Sequence, residues 1–417
     1  MFYGLDAHKR FIQVCKIDSE GRVCGESQVA ATPEAIQAFA RGLGADDQVV
    51  LEATFHTWAI WSLLRPHAGK VVVANPMQVK AIAHARIKTD KIDARILAQL
   101  LRVNLIPEVV MPDDETWQVR QLVAHRRFLG KRLVAVKNTV RGVLNRKLLT
   151  CPYVELFQAS GRRWLGEQSF TETEGFVVTS SLGLHDELVR RVSAVDEKLR
   201  MQATISRQAK LLMTIPGVNI TVAIGLLAAI GDISRFPSPQ KLVSYFGLAP
   251  STYQSGDTCH HGSITKRGRS HARWLALEAA QCISMSSAPL VAAYHRVRRK
   301  KAHNVAVTAL ARKLVVLVWH MLRKDEPYRY APVARTRHKL RRVSADARPA
   351  KVGHVPDTLA AVYAEAGLGQ PSDPTPAERR VVAANRRTIT VLRRVSQKPT
   401  RDFRDLESQT RRLDTDS

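Results

Sequence analysis

The chain opens on three short runs that alternate apolar and polar positions, 2–7 (FYGLDA), 11–17 (FIQVCKI) and 22–28. Polar turns at His8–Arg10 and Asp18–Arg22 separate them, which predicts three antiparallel strands. Thr32 and Glu34 around Pro33 then signal a helix to about Leu43. QVVLEA at 48–53 reads as a buried strand, 57–66 as a helix, KVVVAN at 70–75 as another strand and 90–104 as a helix. The predicted order is βββαβαβα.

That order is the one a ribonuclease H-like fold uses, a mixed sheet with helices on its faces. The fold class expected is α/β over residues 1–110, followed by an all-α remainder. From Asp113 to about Leu149, Val119, Leu122, Leu129, Leu133, Val136, Val140 and Val143 keep a 3/4 spacing, and Leu188, Val192, Val195 and Leu199 repeat it over 187–210. A helical, coiled-coil connector is expected over 111–210, its long helices paired antiparallel or between molecules. Each seam exceeds what one helix buries alone, so a homodimer or a tetramer built of dimers is expected.

Residues 211–330 read as a further helical domain. It opens on LLMTIPGVNITVAIGLLAAIGDI, where a tight turn at Pro216–Gly217 has the logic of a helix-hairpin-helix offering backbone N–H groups to a phosphate. The tail, 331–417, carries 18 basic and 10 acidic residues with several Pro and Gly, and only short helical suggestions at 357–366 and 376–395. It is expected to be a largely flexible basic tail.

Charge sharpens the picture. The 417 residues hold 64 Lys and Arg against 37 Asp and Glu, a net charge of +27, which points to a polyanionic partner. Nine of those cations and no acid lie between Glu115 and Glu155, among them Arg126, Arg127, Lys131 and Arg132. A further 14 against 3 acids fall in 259–329, including Lys266, Arg267, Arg269 and Arg273. Both clusters suit phosphate contacts. Five scattered cysteines argue against a disulfide framework and for a reducing compartment. With no membrane span and no export signal in the pattern, the cytoplasm is the expected location.

Two acids stand out because they sit where apolar residues belong. Asp6 interrupts the first strand and Glu52 ends the buried strand VVLEA. Asp90 and Asp93, at i and i+3, share one helix face. Four converging carboxylates repel unless divalent cations neutralise them, and the chemistry that needs such a set is phosphodiester cleavage assisted by two Mg²⁺.

LDAHK around Asp6, LEAT around Glu52 and NPMQVKAIAHARIKTDKIDARILAQLL around Asp90 and Asp93 resemble the DEDD, RuvC-like domain of insertion-sequence transposases of the IS one-ten family. By that resemblance Asp6, Glu52, Asp90 and Asp93 form the metal-binding tetrad. The segment 236–280 is similar to the same family's C-terminal domain through Pro250, Ser255–Gly256, the run Gly262–Ser263–Ile264–Thr265–Lys266–Arg267–Gly268, and Arg273. Composition does not choose among the loop serines Ser251, Ser255 and Ser263. The family's serine precedes the motif glycine, which selects Ser255, with Ser251 the alternative because Gln254 stands where many members have serine.

The resemblance covers roughly residues 1–325. It implies a DNA transposase/recombinase that moves its own insertion sequence, with Ser255 attacking a phosphodiester beside the Mg²⁺-bearing tetrad. Its partners would be double-stranded DNA, at element ends and target, and a noncoding bridge RNA. The rival reading is a metal-dependent nuclease of the Holliday-junction type, using the carboxylates alone.

Overall fold

The computed structural model describes residues 1–83, 89–255, 258–284, 289–343, 358–376, 379–380 and 382–383. The chain forms two compact units, Met1–Asp113 and a second from Asp114 onward.

Unit 1 contains β1 (Phe2–Ala7), β2 (Phe11–Ile17), β3 (Val23–Ala30), α1 (Pro33–Arg41), β4 (Gln48–Glu52), α2 (Thr57–Leu64), β5 (Lys70–Ala74), α3 (Pro76–Ile82) and α4 (Asp90–Arg102). The sheet order is β3-β2-β1-β4-β5, antiparallel across the first three strands and parallel from β1 to β4 and β4 to β5. One sheet face buries Tyr3, Leu5, Val49 and Leu51 against Ile36, Ala40, Ile60 and Leu64 of α1 and α2. The other lies under α4, whose Ala94, Leu97, Ala98 and Leu101 meet Cys15, Ile17, Val50 and Val72. Helix α3 is an addition to the expected order. Its signal is local: Asn75 accepts from Met77 N at 3.1 Å and Pro76 occupies the first turn.

Among its described residues unit 2 is helical but for one hairpin. It runs α5 (Asp114–Arg146), α6 (Ala159–Gly166), α7 (Glu172–Ile205), α8 (Arg207–Met213), α9 (Ile220–Ile230), α10 (Pro239–Tyr245), β6 (Pro250–Ser255), β7 (Thr258–Ile264), α11 (Ser270–Ser284), α12 (Val291–Arg298), α13 (His303–Lys324), α14 (Val333–Arg341) and α15 (Leu359–Glu365). The second long helix starts far earlier than the apolar seam at 187–210. A capping box explains the start: Thr171 accepts from Glu174 N while Glu174 accepts from Thr171 N.

Helices α5 and α7 pack along each other within the chain. Ion pairs Arg126–Asp196 and Lys147–Glu174 fix an antiparallel run, since one index rises as the other falls. Much of the seam that argued for self-association is therefore covered internally. Val123, Leu129, Leu188, Val195 and Leu199 join the same core as α8, α9, α11 and α13. Helix α13 is long and apolar enough to cross a membrane, yet its Leu310, Ala311, Leu314, Val315 and Val318 fill that core.

Two further segments are packed into unit 2. The turn at 214–219 is closely packed: Ile215 and Val218 are buried, and Gly217 (φ +80°) lies where a Cβ would meet Ala279 O at 2.6 Å. Asn219 already caps Val222 N, and Lys339 Nζ donates to Ile215 O and Val218 O. Part of the tail packs against the unit. Leu340, Val343, Val362, Tyr363 and Leu368 enter the unit's core, with Tyr363 Oη donating to Tyr328 O at 2.5 Å. The apolar residues of LAAVY lie at helical spacing within the segment 357–366 that the sequence marked as helical, and they supply the packing stripe. The suggested helix at 376–395 falls largely outside the described residues.

Candidate functional site

Asp6 and Glu52 stand at the same end of neighbouring strands of the unit 1 sheet. Leu5 pairs with Leu51 across the parallel β1–β4 ladder, so Asp6 and Glu52 are the next residues on neighbouring strands. Alternation puts Asp6 on the face of Gly4, and Glu52 on the face of Val50. Both are the α4 face, because Gly4 backs onto Ala94 and Val50 packs with Leu97.

Gly4 sets how closely α4 can lie. A Cβ there would stand 1.9 Å from Ala94 O and 2.6 Å from Ala98 N, so only glycine lets the helix backbone rest on β1. Thr89 caps the helix through Ile92 N at 3.3 Å, which starts it at Asp90 and sets Asp90 and Asp93 in its first turn. Replacing Gly4 by valine is expected to destabilise the protein by about 1–3 kcal/mol through forced displacement of α4. Thermal denaturation reads this, and a variant melting with the wild type contradicts the close-packing account.

His8 is the residue that sequence reasoning missed. Its Nε2 lies 3.0 Å from Asp6 Oδ2 and 3.3 Å from Asp90 Oδ1, so Asp6, His8 and Asp90 form a cluster of metal-ligating groups. The signal was present in LDAHK, since residues 6 and 8 fall on one side of an extended chain. Burial pushes the Asp6 carboxyl above its ordinary value; His8 draws it down, and Asp93 and Asp90 push it up again. Both α4 acids are therefore close enough to act on Asp6. Residues 84–88 of the motif preceding Asp90 lie outside the described residues.

In unit 2 the segment expected to be a loop is a hairpin of β6 and β7. Ser255 pairs with Thr258 at its distal end and is exposed. The motif glycine Gly256 lies outside the described residues. Ser251 sits at an irregularity in the ladder, and its Oγ donates to Ser263 O at 3.0 Å.

The Lys-Arg-Gly turn that follows is held backbone to backbone. A Cβ on Gly268 (φ +94°) would stand 2.3 Å from Tyr245 O, and one on Gly247 (φ +67°) 2.2 Å from Arg267 O. Lys266, Arg267 and Arg269 are exposed, Arg269 Nε donating to Tyr245 Oη at 2.9 Å. Arg273 differs from expectation: its Nη1 donates to Phe246 O and Lys266 O, so it fastens the turn. Arg126 is likewise turned inward, its Nε and Nη2 donating to the two oxygens of the Asp196 carboxylate. Arg127, Lys131 and Arg132 lie on the outer side of α5, Arg127 half-buried and the others exposed.

Residues 3–148, with all four acids, match the DEDD transposase family of IS110 type, described as Transposase. Residues 209–296, with the serine hairpin, match the family described as Transposase IS116/IS110/IS902. The chain is 26% identical over 344 residues to the transposase for insertion sequence element IS1111A of Coxiella burnetii, covering 78% of this chain and 90% of that protein. It is 27% identical over 290 residues to the pilin gene-inverting protein of Moraxella bovis, covering 67% and 81%.

Proposed function

Because the chain belongs to the IS110 family of insertion-sequence transposases, we propose that it cuts and rejoins DNA through Ser255, assisted by Mg²⁺ at Asp6, Glu52, Asp90 and Asp93. The observation that supports this reading is Asp6, partly buried beside His8 and Asp90 and within electrostatic reach of Asp93, with Glu52 at the matching position of the neighbouring strand. All the carboxylates are hard oxygen donors, and a divalent cation would offset the burial and, beyond it, the like charges of Asp93 and Asp90 that raise the Asp6 carboxyl, so the residues fit Mg²⁺. Bound there, Mg²⁺ would stabilise charge developing on phosphate oxygens.

The covalent step belongs to the serine. As Ser255 Oγ loses its proton and bonds to phosphorus, the P–O bond to one deoxyribose oxygen breaks and that oxygen takes up a proton. The strand stays attached as a phosphoserine ester. A hydroxyl from another strand then attacks that phosphorus and the serine oxygen leaves, so the phosphodiester re-forms without a nucleotide cofactor. Ser255 is favoured over Ser251 because Ser251 Oγ already donates to the backbone at the base of the hairpin.

Lys266, Arg267 and Arg269 would neutralise the phosphates flanking the cut, and Arg127, Lys131 and Arg132 extend the basic surface. The partners proposed are double-stranded DNA at element ends and target, a noncoding bridge RNA, and further copies of the chain in a dimer or a tetramer of dimers. The cytoplasm is the proposed compartment. For the test, purified protein is incubated with its RNA and a plasmid carrying element ends and target. Joined product is expected with Mg²⁺ and none with EDTA; joining that persists in EDTA removes the role assigned to the four acids.

A further inference from the structure

The outer face of α5 repeats one unusual grouping. Phe128 is 51% exposed, with the Arg132 guanidinium 5.1 Å from its ring centroid and the His125 ring stacked at 6.2 Å and 15°. Trp274, on the neighbouring α11, is 40% exposed, with Arg127 5.9 Å from its ring and His271 stacked at 5.7 Å and 27°. Lys131 lies one turn after Arg127. Burial, then Arg127 and Lys131, push His271 down to about 4, so it is a neutral ring at physiological pH and shares its space with both cations.

A helix in a folded domain ordinarily turns such rings inward and leaves charge outside. Here the inward positions are already taken by Val123 and Leu129, and Arg126 is closed off by Asp196. What remains outside on α5 from 124 to 132 is aromatic and cationic, with no acid between 116 and 154. The nearest acid along α11 is Glu278, one turn beyond Trp274. Exposed rings edged by guanidinium groups match the chemistry of an unpaired nucleotide, which offers a flat π-face and a phosphate together. A base inside a duplex keeps its faces covered by its neighbours.

We propose that this face holds unpaired nucleotides, with Trp274 and Phe128 each stacking a base and Arg127, Lys131 and Arg132 neutralising the phosphates between them. The inference rests on the reading of the chain as a nucleic-acid enzyme, and adds which form of nucleic acid this surface takes. RNA and single-stranded DNA share the chemistry, so both are tested.

The experiment is fluorescence anisotropy with labelled U12 RNA, dT12 and a 12-base-pair duplex at fixed salt, using the full chain. Trp274→Leu is expected to weaken binding of one or both single strands about tenfold and to leave duplex binding within about twofold, because a base loses its stacking surface while the charges stay. Trp274→Tyr, which restores a ring, is expected to recover most of the affinity. Lys131→Gln is expected to weaken all three and to reduce the salt slope by about one. U12 against dT12 identifies the sugar. Single-strand affinity unchanged in both Trp274→Leu and Phe128→Leu, or lost equally on the duplex, overturns the proposal. Wild-type protein that binds no nucleic acid overturns the functional reading beneath it. Circular dichroism melting of each variant separates lost stacking from lost fold.

Discussion

Ser255→Ala is expected to abolish the protein-linked DNA strand while leaving DNA affinity within about twofold of wild type. The reason is a difference in kind between the two contributions. Affinity is the sum of many phosphate contacts, among them Lys266, Arg267 and Arg269, and Ser255 is an exposed hydroxyl at the end of a strand. The covalent intermediate, by contrast, depends on one oxygen atom, and no alanine can supply it. A water attacking in its place would release a free end and dissipate the bond energy that strand joining requires. Denaturing electrophoresis of end-labelled DNA separates the outcomes. Loss of the slow-migrating adduct in Ser255→Ala supports the assignment. An adduct that survives there and disappears in Ser251→Ala moves the nucleophile to Ser251, and free cleaved ends without adduct in any protein favour the metal-dependent nuclease.

Asp6→Asn is the second large effect, and it should act on activity and on stability in opposite directions. Activity is expected to fall by several orders of magnitude, since one of the four acids that hold the cation becomes a neutral amide. Stability of the metal-free protein is expected to rise. Burial and the neighbouring acids raise the Asp6 carboxyl in the folded state, so the fold binds its proton more tightly than the unfolded chain does. By linkage, stability then falls as pH rises through the unfolded and folded pKa values, and at neutral pH the ionised carboxylate is a net cost. Asparagine removes that charge and keeps an oxygen that can accept from His8. Differential scanning fluorimetry with EDTA at pH 7 is expected to give a higher Tm for Asp6→Asn than for wild type, with Mg²⁺ raising the wild-type value more. A variant that melts below wild type in EDTA, with no wild-type response to Mg²⁺, would set aside the cation-binding reading of this cluster.

The sequence carried the sheet of unit 1 because its signals are local. Alternation marked β1 and β2, and Asp6 and Glu52 were conspicuous as acids inside apolar runs, which elementary solvation disfavours. Spacing alone put Asp90 and Asp93 on one helix face. The neighbourhood of His8 was only half visible, since LDAHK places it beside Asp6 while Asp90 joins them only when β1 and α4 are brought together across Gly4.

What only the tertiary structure decided is the use of each charge and each apolar seam. Arg126 and Arg127 are adjacent in one basic run, yet Asp196 of α7 takes the first and Trp274 of α11 attracts the second. Arg273 reads as a phosphate ligand by composition and fastens two carbonyls instead. The seam on α5 has one periodicity whether its partner is another molecule or the chain's own α7, and the helical spacing of LAAVY does not say which core seats Tyr363. The physical reason is common to all four: a residue's type fixes what it can bond, while the partner it bonds lies on another segment of the chain and is chosen by packing.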